Sequence, residues 1–273
     1  MDKEPRTKPL AGGNKTEIKN MGDKVIIRTV PSIAISNYSK GTTLTYEEPE
    51  SANVELTIDQ GKSFAFKTKD IDRIQSDLKL MDEWSNDASE QMKISIDSDI
   101  LAAIPATVAA ANAGATAGAI SGDINLGTDA TPLAVTSTNI LNVLVDYGTV
   151  LDEQNIPESQ RWVVMPAKMC GLVKKSDLKD ASLSGDGTSI MRNGRLGMID
   201  RFTLYSSNSV KKTGTEYDVM FGHKSALTFA AQATEMESLR DPNDFGDLVR
   251  GLNVFGHETI KPDAMGTSRV TIA

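Results

Sequence analysis

The spacing of apolar and polar positions divides the chain into segments of different character. Val25-Ile26-Ile27-Arg28-Thr29-Val30 is a β-branched run that predicts a strand, stopped by Pro31. Asn37 to Thr43 carries turn residues, and Leu44-Thr45-Tyr46 leads into the acidic Glu47-Glu48-Pro49-Glu50, which reads as an exposed tip. Val54 to Asp59 alternates apolar and polar residues, and Phe64-Ala65-Phe66-Lys67 resumes beyond Gly61. Residues 24–68 therefore predict a long two-stranded excursion. At Asp70 the period changes. Ile71, Ile74, Leu78, Met81, Ala88, Met92, Ile96 and Ile100 recur mostly three or four apart, with Trp84 near the same stripe. Asp70 can cap this helix, Asp72 suits its positive end, and Pro105 stops it. Such a helix reaches roughly 45 Å at a rise of 1.5 Å per residue, long enough to act as a scaffold across a whole subunit.

Residues 106–127 are rich in Ala and Gly and too poor in large side chains to make a core alone, so they read as a connection. Thr136 or Ser137 can cap a second helix carrying Ile140, Leu141, Leu144, Tyr147 and Leu151, which ends before Pro157. Arg161 to Met165 predicts a buried strand, Ala167 to Lys175 a short helix, and Ser182 to Gly187 a polar loop. Phe202 to Tyr205, Val219 to Phe221, Asp247 to Gly256 and Arg269 to Ile272 add strand-like stretches. No internal repeat is visible. Residues 1–22, dominated by Lys, Gly, Asn and Pro, predict an arm that stays mobile until something binds it.

Composition narrows the function classes. With 39% hydrophobic and 24% charged residues, the chain suits a folded domain with a substantial core. Aromatic residues make up only 5%, which disfavours stacking on carbohydrate or single-stranded nucleic acid. The 29 Lys and Arg against 37 Asp and Glu give a net charge of −8, which opposes general binding to phosphate backbones. Cys170 is the only cysteine, so no intrachain disulfide forms and a reducing cytoplasm is expected. The opening residues lack the apolar stretch of a signal peptide, and no run of about 18 apolar residues occurs, so neither export by that route nor a membrane span is expected.

Candidate chemistry is sparse. His223 and His257 are the only histidines, and neither has a companion at metal-ligand spacing. Cys170 reads as a small buried hydrophobe. Gly185 to Ser189 lacks both the lysine of a phosphate loop and the alternating oxygen ligands of a calcium loop, and reads as a turn. Asp97 and Asp99 point in different directions on a helix, and Asp152 and Glu153 are adjacent, so neither makes a ready acid–base pair. Met81 and Met92 read as packing residues. No catalytic residue, cofactor or metal site is assigned.

The order of arm, β excursion, long helix, Ala/Gly-rich connection and mixed region resembles the major capsid proteins of tailed bacteriophages and prophages. Several stretches carry the likeness: Gly22 to Arg28, Lys40 to Pro49, Leu56 to Phe66, Asp70 to Ser76, Val150 to Pro157, Arg161 to Pro166, Arg192 to Asn208 and Arg250 to Ala264. The resemblance implies an α+β capsid fold. Its parts would be an N-terminal arm (1–22), an E-loop hairpin (23–69), a spine helix with the first part of the peripheral domain (70–132), an axial domain (133–229), a peripheral return (230–257) and a C-terminal return to the axial domain (258–273).

The same resemblance implies a shell subunit rather than an enzyme. It would assemble with itself as pentamers and hexamers into an icosahedral virion capsid, built in the bacterial host cytoplasm with portal, scaffolding and possibly decoration proteins. The shell would enclose double-stranded DNA without reading its sequence, and would contact no membrane. Lys40, Glu47, Glu48 and Glu50 at the E-loop tip would contact a neighbour, with Arg240, Arg250 and Lys261 as candidate partners. One alternative keeps the fold and changes the cargo, an encapsulin-type compartment. A second is a hydrolase with its site near Ser182–Ser189.

Overall fold

A computed structural model describes residues 24–28, single positions between 33 and 48, then 53–70, 80–176, 198–242 and 244–272. The described stretches fold as mixed helix and sheet around two main β-sheets, with a separate two-stranded ribbon. The larger sheet contains strands β4 (Leu133–Val135), β5 (Arg161–Met165), β6 (Met198–Ile199), β7 (Phe202–Ser206), β9 (Glu216–His223) and β12 (Met265–Ile272) in the order β4-β12-β9-β5-β7-β6, with β8 (Lys212–Thr213) paired to β9. The β4–β12 and β5–β7 pairs are parallel and the rest antiparallel.

Helices α2 (Ile140–Glu153) and α3 (Ala167–Lys175) supply the main core of this sheet. Val143, Leu144, Tyr147, Val150 and Leu151 recur at helical spacing and meet Val163 and Met165 of β5, Phe202 of β7 and Val219 and Phe221 of β9. The Tyr147 and Phe221 rings stack at 4.3 Å, with Phe202 edge-on to Phe221 at 6.5 Å. An aromatic pair of this kind contributes about 1 kcal/mol beyond its buried area. The strand Arg161–Met165 and the helix Ala167–Lys175 occupy the spans their apolar patterns predict.

The start of α2 differs from the expectation. Asn139, not Thr136 or Ser137, occupies the cap position, and no side chain caps the helix. The Asn139 side chain is already committed: its Oδ1 accepts from the Thr136 N–H and its Nδ2 donates to the Ala134 carbonyl, tying β4 to the turn before the helix.

The smaller sheet is built from β3 (Gln60–Lys69), β10 (Leu227–Arg240) and β11 (Gly246–Thr259), all antiparallel in the order β10-β11-β3. Strand β10 was not expected, because Ala, Glu, Gln, Met and Leu along it are helix formers. Its hairpin partner overrides that preference with a ladder from Leu227↔Thr259 to Arg240↔Asp247, broken once by a bulge between Ala233 and Glu235. Among the described residues, strand β1 (Lys24–Arg28) pairs with β2 (Asn53–Thr57) alone. The two-stranded excursion therefore stops near Thr57, and the segment from Gln60 belongs to the second sheet.

The described part of the long helix is α1, Leu80–Ala103; Ile71, Ile74 and Leu78 of the expected stripe lie outside the described residues. It lies against β3, where Phe66 meets Trp84 edge-on at 5.9 Å and Lys62 pairs with Asp99 at 2.6 Å. The stripe is less covered than its spacing suggests. Ile96 is buried, Met92 and Ile100 are half-buried, and Trp84 near the stripe remains exposed. A helix that packs on a three-stranded sheet along one edge has too little surface opposite it to bury a full stripe.

The Ala/Gly-rich connection is poor in regular structure yet tightly placed. Buried Asn112 donates from Nδ2 to the Asp263 and Met265 carbonyls and accepts from Gln154 Nε2. Gly127, at φ 80°, lies where a Cβ would strike the Arg269 carbonyl, so only glycine lets this segment pass the last strand.

Candidate inter-subunit surface

The residues expected at the E-loop tip fall into two groups. Lys40, Glu47 and Glu48 are exposed, whereas Glu50 lies outside the described residues. Exposed apolar side chains accompany them: Ile33, Ile35 and Tyr46 at 65%, 93% and 87%. Ile26 on β1 is exposed as well, beside the surface pair Lys24–Glu55 at 2.8 Å.

The three candidate partners have intrachain contacts of their own. Arg240 grips Asp70 and, at 3.0 Å, Asp247, and these carboxylates hold its guanidinium more firmly protonated. Arg250 pairs across the β10–β11 ladder with Glu237 at 2.7 Å. Lys261 is exposed at the end of β11, where its N–H donates to the Ala226 carbonyl.

The β10–β11 turn is the most heavily braced part of the surface. Lys67 of β3 reaches Asp241 at 2.5 Å and Asp244 at 2.8 Å, and the hydrogen bond from Lys67 holds the Asp244 carboxyl below its usual range. The Asp70 N–H donates to the Phe245 carbonyl at 3.2 Å, and the Phe245 N–H donates to Asp244 Oδ1 at 2.8 Å. Sequence reasoning missed this turn; the signal available was its Asp241-Pro242 opening and the closing Gly246. The lysine that clamps it lies 177 residues from Asp244, which local pattern cannot reveal.

A second ionic cluster fixes the larger sheet. Buried Arg161 donates to the carbonyls of Pro157 (3.0 Å), Ile156 (2.6 Å) and Gly148 (3.3 Å), and to Asp152 at 2.6 Å. Arg201 reaches the other Asp152 oxygen at 2.9 Å and Glu158 at 2.8 Å. Burial opposes the charge on Asp152, but hydrogen bonds from both arginines outweigh it and hold the carboxyl below its usual range. Arg201 and Asp200 form the two-residue turn between β6 and β7 at φ 66° and 45°, a left-handed geometry that Arg does not favour unaided. Its ion pairs hold it there.

Of the remaining titratable candidates, Glu153, His223 and Cys170 are explained by local structure, whereas His257 Nδ1 is buried with no hydrogen-bond partner. Glu153 accepts from the N–H groups of Ile120 and Ser121, which holds its carboxyl down and anchors the connection to α2. His223 Nδ1 meets Ser225 Oγ at 2.8 Å, and burial pushes its pKa down. Cys170 is buried, which pushes its thiol up and away from the reactive thiolate. No group of three or more potential metal ligands occurs among the described residues, and no described helix is long and apolar enough to cross a membrane. The loop Ser182–Ser189 lies outside the described residues.

Comparison with known proteins gives the family to which this fold belongs. The phage capsid protein family matches residues 53–266. Among solved structures, a chain from Mycobacterium phage Che8 is 23% identical, with a TM-score of 0.69 over 90% of this chain and 84% of that one. A chain from the capsid of the cyanophage P-SCSP1u is 17% identical, with a TM-score of 0.66 over 94% and 85%. One from the capsid of Ralstonia phage GP4 is 13% identical, with a TM-score of 0.63 over 94% and 84%. No curated protein matches.

Proposed function

We propose the working details of a shell subunit from one premise: the chain belongs to the phage capsid protein family and is a structural, non-enzymatic major capsid protein of an icosahedral shell. The observation that carries this is the family match across residues 53–266, which spans both sheets and the helix between them. Neither the compartment shell nor the hydrolase is favoured beside it.

In this reading the subunits form pentamers and hexamers that close around double-stranded phage DNA. Portal and scaffolding proteins would take part in assembly in the host cytoplasm, and decoration proteins could bind the finished shell. The net charge of −8 supports enclosure without sequence recognition, because an acidic chain does not hold phosphates along its whole surface. The exposed apolar side chains of the β1–β2 excursion support a role in subunit contact, since their ordering must be offset by burial against something else. The acidic tip at Glu47, Glu48 and Glu50 would then face cations of a neighbour. Of the three candidates, Lys261 is taken first, because it is exposed and pairs with no carboxylate among the described residues.

The test is expression of the chain with and without its neighbouring genes, followed by negative-stain electron microscopy and light scattering. Closed particles or ring-shaped capsomers are expected. Monomer alone across protein concentrations, salts and co-expressed scaffold would overturn the assembly role.

A further inference from the structure

Phe245 stands in the β10–β11 turn with 79% of its surface exposed. An aromatic side chain in water forgoes the stabilisation of burial, so a turn under no other constraint would tend to fold it back onto the sheet. This turn is constrained: Lys67 holds Asp241 and Asp244, Arg240 holds Asp70 and Asp247, and the Phe245 carbonyl is fixed by Asp70. A braced backbone that presents a large apolar group outward has already lost the conformational freedom that binding would otherwise remove. Rigid aromatic anchors of this kind carry much of the energy of an interface.

The same chain carries a receptor for such an anchor. On the smaller sheet, Arg250 lies opposite both Ala65 and Glu237, and Leu252 lies opposite Ser63. Strand alternation puts these five side chains on one face, away from Phe64 and Phe66, the latter of which meets α1. Together with Phe64 and Gly251 at its wall, they line a groove of about 310 Å³. A cavity of about 150 Å³ accepts benzene, so the groove has room for a phenyl ring. Leu252 remains 37% exposed within it.

Charge is complementary at the edges of the two features. Asp244 adjoins Phe245 and keeps 43% of its side chain exposed beside its pair with Lys67, and the Arg250 guanidinium at the groove keeps 62% exposed beside its pair with Glu237, so each has room for a second partner of opposite sign. The anchor cannot fill the groove of its own chain. Arg250 lies five residues along β11 from the turn, roughly 17 Å at about 3.4 Å per residue, and the turn is tied in place by Lys67 and Arg240. The occupant has to come from another molecule, and a second copy of this chain supplies ring and carboxylate together.

We propose that Phe245 of one subunit seats in the groove over Ala65 and Leu252 of the neighbouring subunit, with Asp244 placed against Arg250. This rests on the shell reading above. The contact joins two different patches, so it propagates from copy to copy around an axis and closes as a ring.

Cysteine pairing tests it, because Cys170, the one native cysteine, is buried. Particles of the Phe245→Cys, Ala65→Cys double variant, mildly oxidised and run on a denaturing gel, should give a ladder of dimers and larger species. Each single variant should stay monomeric. A double variant that assembles yet stays monomeric overturns the contact while leaving the shell reading intact, and dimers from Phe245→Cys alone overturn it by showing turn against turn. Independently of cysteine chemistry, Phe245→Ala should lower particle yield at least tenfold with unchanged circular dichroism, and Phe245→Trp should retain assembly. Unchanged yield from Phe245→Ala would equally sink the proposal. If the unaltered chain forms no particles under any condition, the shell reading itself fails and this contact fails with it.

Discussion

The Arg161 guanidinium donates to the Asp152 carboxylate at 2.6 Å, with the arginine side chain sealed from solvent and the aspartate 40% exposed. The pair is asymmetric. Removing the carboxylate leaves a buried cation with only carbonyls around it, whereas Asp152 could rehydrate if Arg161 were lost. Asp152→Asn is therefore expected to lower stability by about 1–3 kcal/mol in denaturant titrations. Arginine replacement by methionine also orphans the carbonyls of Gly148, Ile156 and Pro157, and should cost at least as much. Because Asp152 is held below its usual range in the folded chain, its contribution is present above the unfolded value and lost as pH falls through the folded one. Wild-type stability should thus decline below about pH 4, and Asp152→Asn should show a shallower decline.

Two glycines separate backbone need from mere tolerance. At Gly127, with φ 80°, a Cβ would overlap the Arg269 carbonyl, and Gly127→Ala should cost more than about 2 kcal/mol. Gly171 lies inside α3, where a Cβ would meet nothing within 4 Å. Gly171→Ala should raise stability by about 0.5–1 kcal/mol through helix propensity alone. Thermal melts of both variants check the pair, and a tolerated Gly127→Ala would show that the connection is not held where it passes β12.

Legibility followed the range of the interactions. The strand Arg161–Met165, the helix Ala167–Lys175 and the core stripe of α2 are local patterns against one large apolar sheet, and spacing alone located them. Strand β10 was illegible because its residues favour helix, and only the ladder with β11 makes it extended. The segment Gln60–Lys69 alternates as a strand should, but alternation cannot say which strand is its partner; β11, some 190 residues later, takes it. The same limit governs the surface. Charges at Arg240 and Arg250 were visible as candidate cations, while their intrachain carboxylates at Asp70, Asp247 and Glu237 become neighbours only through the sheet register.

On α1 the apolar spacing marks Met92 and Ile96 alike, but their burial differs. Ile96 is 5% exposed and Met92 is half-buried. Ile96→Ala should cost about 2–3 kcal/mol, and Met92→Ala less than half as much. Met92→Asp, which would unfold the subunit if the whole stripe were sealed, should weaken packing at this helix yet leave a folded chain by circular dichroism. An unfolded Met92→Asp variant would show that the stripe is covered more completely than its exposure indicates.

The acidic E-loop tip makes a prediction about assembly rather than folding. Glu47 and Glu48 are exposed, so their replacement uncovers no buried core of the subunit itself. A single exposed ion pair contributes only about 0–1 kcal/mol, and one charge removal should pass unnoticed. Reversing Glu47, Glu48 and Glu50 to lysine together is different in kind, because attraction becomes repulsion at every copy of the interface in a closed shell. If Lys261 of the neighbour is the cation opposite, the triple reversal should block particle formation while circular dichroism stays that of the unaltered chain. Adding Lys261→Glu should then restore particles, since the pair is rebuilt with its signs exchanged. High salt should also partly relieve the block, as the repulsion acts between exposed groups and the screening length falls to about 3 Å at 1 M. Normal particles from the triple reversal, measured by sedimentation velocity, would mean that the tip faces solvent in the shell. A block that Lys261→Glu leaves in place would mean that another cation receives it.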